Sequence, residues 1–225
     1  RNKTEDQYAL DIQGILTMHG VKPDDIEGGI LSSVVPYLQT VIPRAVKLLT
    51  GVDILVVGGG IQTGLRILMD DPSTVGSDLI VSAVAAKEKY PAPIAIIDMG
   101  TATTLVVIDE NGDYAGGMII PGLRVSLNAL SARAAQLPYI DLSGPTELLG
   151  KNTADCMRSG AVIGCAAMMD GLVSRLERKL GKPVSAVITG GLSTVIAPYC
   201  EHDFHSEPDL LIDGLWALYR KNQNP

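Results

Sequence analysis

Three short apolar runs in this chain each stop at glycine. Asp53 to Val57 precedes Gly58-Gly59-Gly60, Ile94 to Asp98 precedes Gly100, and Val184 to Thr189 precedes Gly190-Gly191. Runs of this length, rich in Ile and Val, read as buried strands. Longer segments with helical spacing separate them. Strands and helices in alternating blocks limit the chain to an α/β class. The glycines at the strand ends let backbone come close to a ligand.

Composition fills in the core and removes some functions. Apolar residues make up 46% of the 225, and aromatics only 4%, so Leu, Ile, Val, Ala and Met must fill the interior. The formal charge of -7 argues against non-specific binding to nucleic acid or to an anionic membrane surface. Any anionic substrate must then be held by a local site. The 3 cysteines make no disulfide framework, and Cys156 and Cys165, nine apart on a predicted helix, fall on opposite faces. No signal peptide is visible and no apolar run reads as a membrane span, so the cytoplasm is the expected compartment.

The predicted elements follow from local signals. Thr4 and Gln7 form a capping-box pattern at the start of a helix that Gly20 can stop. Gly29 to Val35 reads as a strand, and a helix follows in which Pro43 is expected to cause a kink or split. Val75 to Tyr90 reads as helix. After Ile94 to Asp98 comes a hairpin, with arms Leu105 to Ile108 and Tyr114 to Ile120 and a turn at Asn111-Gly112. Pro121 to Leu137, Asn152 to Leu180 and Pro208 to Tyr219 read as helices. Pro91-Ala-Pro93 suggests a boundary between two lobes, 1–92 and 93–225.

Four places can carry chemistry. Asp98-Met-Gly100-Thr101-Ala-Thr103-Thr104 ends a buried strand. Its N–H groups and hydroxyls can surround phosphate oxygens, and Asp98 can hold a cation beside them. A tight turn, with the Asp bonded to its own backbone, is the competing reading. Thr189-Gly190-Gly191-Leu192 can let a flat ring lie against backbone, or simply start a helix. Gly76-Ser77-Asp78-Leu79 opens a helix, where Asp78 can either favour the helix start or take a proton from an acceptor hydroxyl. Gly116-Gly117 to Gly122, and Gly150-Lys151-Asn152-Thr153, can be ordinary junctions, with Asn152 or Thr153 as a cap. Gly58 to Gly60 with Gly64 does not fit a dinucleotide fingerprint, and His202 with His205 lacks a metal-ligand partner on its own element.

The order of these motifs, together with Ala129-Leu130, Pro138, Ser159-Gly160, Pro208 and Gly214-Leu215, resembles a type III pantothenate kinase. The resemblance runs from about Arg1 to Asn222. It implies the fold of acetate and sugar kinases, Hsp70 and actin, with two ribonuclease-H-like lobes, the first incomplete at its N-terminus. It implies transfer of the ATP γ-phosphoryl group to the 4′-hydroxyl of pantothenate, at the entry to coenzyme A synthesis. It further implies a homodimer with the substrate site at the subunit interface, a monovalent cation (potassium or ammonium) and Mg2+. By the same resemblance Asp98 matches a monovalent-cation ligand, Gly100 and Thr101 match ATP contacts, and Gly190 and Gly191 match the adenosine loop. Asp78 matches the proton acceptor, and Gly76, Ser77 and Thr153 match pantothenate contacts.

Three departures stand out. The family carries Arg where this chain has Leu79, and a pantothenate-contacting Tyr where it has Met69. The family's opening strand with its Asp-x-Gly-Asn-Thr phosphate motif is not found in this sequence. Two further readings therefore stay open at this level: a catalytically impaired relative that works through interactions, and a kinase for another small hydroxyl substrate.

Overall fold

The structure, a computed structural model, describes residues 3–223. These residues form two compact units that interleave in sequence. The first runs to Gly64, takes in Ser73–Ala85, and resumes at Leu211; the second is Leu65–Pro72 with Ala86–Leu210. There is no single division at residues 92 and 93. The physical reason is continuity, because helix α3 (Ser77–Lys89) and helix α7 (Leu210–Gln223) each pass unbroken from one unit into the other.

The second unit carries a five-stranded sheet. Its strands are β3 (Ile94–Met99), β4 (Ala102–Ile108), β5 (Tyr114–Pro121), β6 (Ser185–Thr189) and β7 (His205–Ser206), in the order β5-β4-β3-β6-β7. β3, β4 and β5 form an antiparallel meander, whereas β6 lies parallel to β3 and β7 parallel to β6. Counted within the unit, this is the 3-2-1-4-5 order of a ribonuclease-H-like sheet. The hairpin turn forms as its Asn-Gly signal predicts. Gly112 takes φ +78°, and Asp109 Oδ1 accepts the N–H groups of Asn111 and Asp113 at 2.8 and 3.0 Å.

β3 is the centre of this sheet because both its faces are covered. Ile94, Ala95, Ile96, Ile97 and Met99 are all buried. The long helix α5 (Thr153–Leu180) supplies Val162, Cys165, Ala166, Met169 and Val173 to the same core as Ile97, Met99, Leu105 and Ile188. By length and composition alone α5 is apolar enough to cross a membrane, with a mean hydropathy of 1.3 over its best window. Its buried residues belong to the core of the unit, as those of a core helix do. Cys165 is buried and Cys156 exposed, as their spacing requires.

The first unit is mostly helical. α1 (Glu5–Met18) is capped by Thr4 and Gln7 in the predicted box, and packs on α2 (Pro36–Thr50). Pro43 lies inside α2 without splitting it; Val41 and Ala45, on either side, are buried and hold that stretch of helix in place. The strand expected from Gly29 to Val35 is only β1 (Ile30–Leu31), which pairs in parallel with β2 (Leu55–Val56). A small core joins Val57, Val81, Val84, Ala217 and Leu218, so α3 and α7 share it.

The helix expected from Pro121 to Leu137 is the shorter α4 (Leu123–Arg133), which stops where Ala134 turns to φ -109°, ψ 104°. After Gly191 there is only one turn, α6 (Ser193–Ile196).

Candidate functional site

The end of β3 gathers one constellation from three strands. Asp98 is level with Thr104 on β4 and with Thr189 on β6, so these side chains share a sheet face. Met99 pairs with Thr103, which is only 2% exposed. β6 runs out at Thr189 into Gly190, whose φ of +90° suits glycine. A Cβ on Gly190 would stand 2.5 Å from Asp98 Oδ1 and 2.6 Å from the Met99 nitrogen. A Cβ on Gly100 would stand 3.7 Å from the same carboxylate oxygen. The Asp98 carboxylate thus lies in a recess walled by two glycines, with half-buried Thr104 and buried Thr189 level with it on the neighbouring strands.

The loop after β3 is backed by another glycine. A Cβ on Gly122, at the end of β5, would stand 2.1 Å from the Thr101 carbonyl oxygen. Gly100 and Thr101 are exposed beyond this support, and so is Gly191 beyond Gly190. Exposed N–H groups and a hydroxyl next to a half-buried carboxylate can bind phosphate oxygens and a cation together.

A second constellation opens α3. Its first residue is Ser77, so Asp78 stands inside the first turn and not at the capping position. The Asp78 Oδ1 atom accepts the Leu79 N–H at 3.0 Å. A Cβ on Gly76 would meet that oxygen at 2.4 Å, so glycine leaves the carboxylate its place. The Ser77 hydroxyl accepts from Ser32 at 2.9 Å, just after β1. Ser32 was not singled out from the sequence; it lies 45 positions away, and no local signal marks it.

The remaining candidates fall on separate elements of the second unit. Thr153 is the first residue of α5, and Asn152 is its cap, accepting the Asp155 N–H at 2.9 Å. Thr153 is therefore not the cap; the residue lines a groove of about 480 Å³ with Leu123, Leu127, Leu130 and Gly160. Met69 lies in a segment that joins the start of β5, where the Leu68 N–H donates to the Tyr114 carbonyl and the Tyr114 N–H donates to the Arg66 carbonyl. Its sulfur is 3.9 Å from the place of a Gly116 Cβ.

His202 and His205 do not come together as ligands. His202 Nε2 bonds the Ser174 hydroxyl at 2.9 Å, and His205 stacks on Tyr90. Among the described residues no cluster of three His, Cys, Asp or Glu is arranged to hold a metal. Burial pushes the Cys165 thiol up to about 11 and the Cys200 thiol up to about 12, so neither is ionised near neutral pH.

Comparison with known proteins gives a consistent result. The sequence pattern of the type III pantothenate kinase family matches residues 1–175. A type III pantothenate kinase of Geobacillus sp. (strain WCH70) is 42% identical over 222 residues, 99% of this chain and 86% of the relative. One from Exiguobacterium sp. (strain ATCC BAA-1283 / AT1b) is 41% identical over 223 residues, and one from Moorella thermoacetica is 38% identical over 222. Among solved structures, a Baf family transcriptional activator from Campylobacter jejuni matches with a TM-score of 0.57 at 18% identity, covering 87% of this chain and 83% of that one. At that identity the likeness is one of fold.

Proposed function

This chain belongs to the type III pantothenate kinase family, and from that premise we infer that it transfers the γ-phosphoryl group of ATP to the 4′-hydroxyl of pantothenate, a step of coenzyme A synthesis. Within the structure, the observation that carries the reading is the Asp98 recess: a carboxylate at the end of a central strand, walled by Gly100 and Gly190, with threonines on both neighbouring strands.

The proposed division of work follows from the chemistry of each group. Gly100 and Thr101 contact the phosphates of ATP, and Gly190 and Gly191 lie against its adenosine part. Mg2+ accompanies the nucleotide. The recess suits a monovalent cation, potassium or ammonium, which Asp98 would hold. That ion, when bound, supplies positive charge against the phosphate oxygens. Asp78 orients the attacking hydroxyl and accepts its proton, a role open to a carboxylate that does not cap its helix. Gly76, Ser77 and Thr153 contact pantothenate. Position 79 offers Leu and position 69 offers Met, so the acceptor's carboxylate and polar groups receive less from these two side chains than Arg and Tyr give.

We further propose a homodimer with the acceptor site at the subunit interface, working in the cytoplasm. The test is ATP turnover with and without pantothenate, in sodium and then in potassium or ammonium. ADP release that depends on pantothenate and rises strongly with potassium or ammonium is expected. Asp98→Ala should abolish the cation response. A cation response that survives this substitution removes Asp98 from the role, and turnover indifferent to pantothenate removes the acceptor assignment.

A further inference from the structure

The turn after β6 holds a serine that the site described above leaves unused. Ser193 is 0% exposed, and both of its donors go to one atom. Its backbone N–H donates to the Gly190 carbonyl oxygen at 3.0 Å, and its hydroxyl donates to the same oxygen at 2.7 Å. The first bond closes a four-residue turn, Gly190 to Ser193, with Leu192 at φ -103°, ψ -2°. Leu192 and Val195 pack against the core of the second unit and Ile196 belongs to it, so the turn is seated on that core. Every residue of this arrangement lies in the second unit.

Two glycines in succession leave the peptide between them free to turn either way, because neither carries a Cβ to oppose it. The Gly190 α-carbon is packed closely, since a Cβ there would meet Asp98 Oδ1 at 2.5 Å and the Met99 nitrogen at 2.6 Å. What sterics leave open is the plane of the Gly190–Gly191 peptide. A carbonyl oxygen has two lone pairs. Ser193 supplies a donor for each, so this carbonyl is held pointing into the turn.

The consequence lies on the other edge of the same peptide. The Gly190–Gly191 bond is trans. In a trans peptide the C=O and the N–H point in opposite directions. Holding the Gly190 carbonyl inward therefore aims the Gly191 N–H outward. Gly191 is exposed, and among the described residues no acceptor takes its N–H. The reversed peptide would turn the negative end of the carbonyl dipole toward an anionic ligand and withdraw the donor.

We propose that Ser193 is a positioning residue for the nucleotide: by holding the Gly190 carbonyl with two bonds, it selects the peptide orientation that offers the Gly191 N–H to an acceptor atom of ATP. The proposal rests on the reading that Gly190 and Gly191 lie against ATP. Ser193 acts through the turn and touches no substrate.

The test is ATP binding by calorimetry, with the Gly191 amide followed by NMR. Ser193→Ala keeps the backbone donor to Gly190 and removes the hydroxyl alone. Its Kd for ATP should rise about tenfold, while kcat at saturating ATP and KM for pantothenate stay within about twofold. Melting should fall by no more than about 4 °C, since the Gly190 carbonyl keeps one partner. A merely structural role would instead move melting, kcat and both KM values together. Ser193→Cys fills the same place with a weaker donor, and its Kd should fall between those of wild type and Ser193→Ala. On saturation with ATP the Gly191 amide proton should shift downfield in wild type and less far in Ser193→Ala. A Kd within about twofold of wild type in both folded variants overturns the proposal alone, as does an equal Gly191 shift. If the wild-type protein binds no ATP, the nucleotide reading fails and the proposal fails with it.

Discussion

The end of β3 and the start of α3 are built in different ways. At β3 the candidate nucleotide contacts are mostly backbone, fixed by hydrogen-bonded strands on both sides and by glycines whose missing side chains form the recess. At α3 the candidate acceptor contacts are side chains on one helical turn, steadied by the Ser32–Ser77 bond after a strand of only two residues. Backbone geometry changes little when a single side chain changes. Recognition by side chains can drift with each substitution. A substitution near Asp98 is therefore expected to change nucleotide binding less than one on the first turn of α3 changes acceptor binding, the side on which Leu79 and, by the proposed reading, Met69 stand.

The largest effect should come from the acceptor side, on chemistry alone. Asp78→Asn keeps the shape and removes the proton acceptor, so kcat should fall by about 10²–10⁴ with ATP affinity and melting temperature nearly unchanged. Steady-state kinetics and a thermal melt check this, and near-normal turnover would break the comparison. Alanine at the two key glycines should then separate the regions. Gly190→Ala sets a Cβ against Asp98 and the Met99 backbone at a positive φ, so ATP affinity should drop by about tenfold or more and melting should fall by several degrees. Gly76→Ala meets only the movable end of Asp78, so calorimetry should find ATP affinity kept while kcat falls.

A smaller gain should come from restoring the two acceptor-side departures. Leu79→Arg with Met69→Tyr adds a charge-assisted partner for a carboxylate and a hydroxyl, and should lower KM for pantothenate about tenfold. An already low wild-type KM that does not move would show that other groups in this chain do that work. The smallest effect concerns neither region. Cys156 is exposed while burial holds the Cys165 and Cys200 thiols in their un-ionised form, so thiol titration of the native protein should find one fast group.

Much of the cradle side could be read from sequence because its signals are local. An apolar run, an Asp at its end, a glycine and an Asn-Gly turn lie within some twenty positions, and β3, β4 and β5 follow from them. The capping box of α1 and the Asn152 cap of α5 are local too. What escaped notice is held by distant partners. Ser32 meets Ser77, Gly122 presses on Thr101, and Glu207 meets Tyr90 across 117 positions. Strand β7 has only two residues and carries too little pattern to read. Pro43 does not split α2, because its local cost is offset by burial of the helix around it. The compact units interleave because continuous helices carry the chain across a division that proline punctuation does not mark.

The most direct test is the fate of the phosphoryl group itself. Phosphorus NMR of one sample containing the protein, ATP, Mg2+, potassium and pantothenate follows it atom by atom. The account predicts that the γ-phosphate signal is replaced by a phosphomonoester on the 4′-oxygen of pantothenate, in step with ADP, and that Asp78→Asn slows this conversion without weakening ATP binding. Inorganic phosphate without the ester, or an unchanged rate in Asp78→Asn, would contradict it.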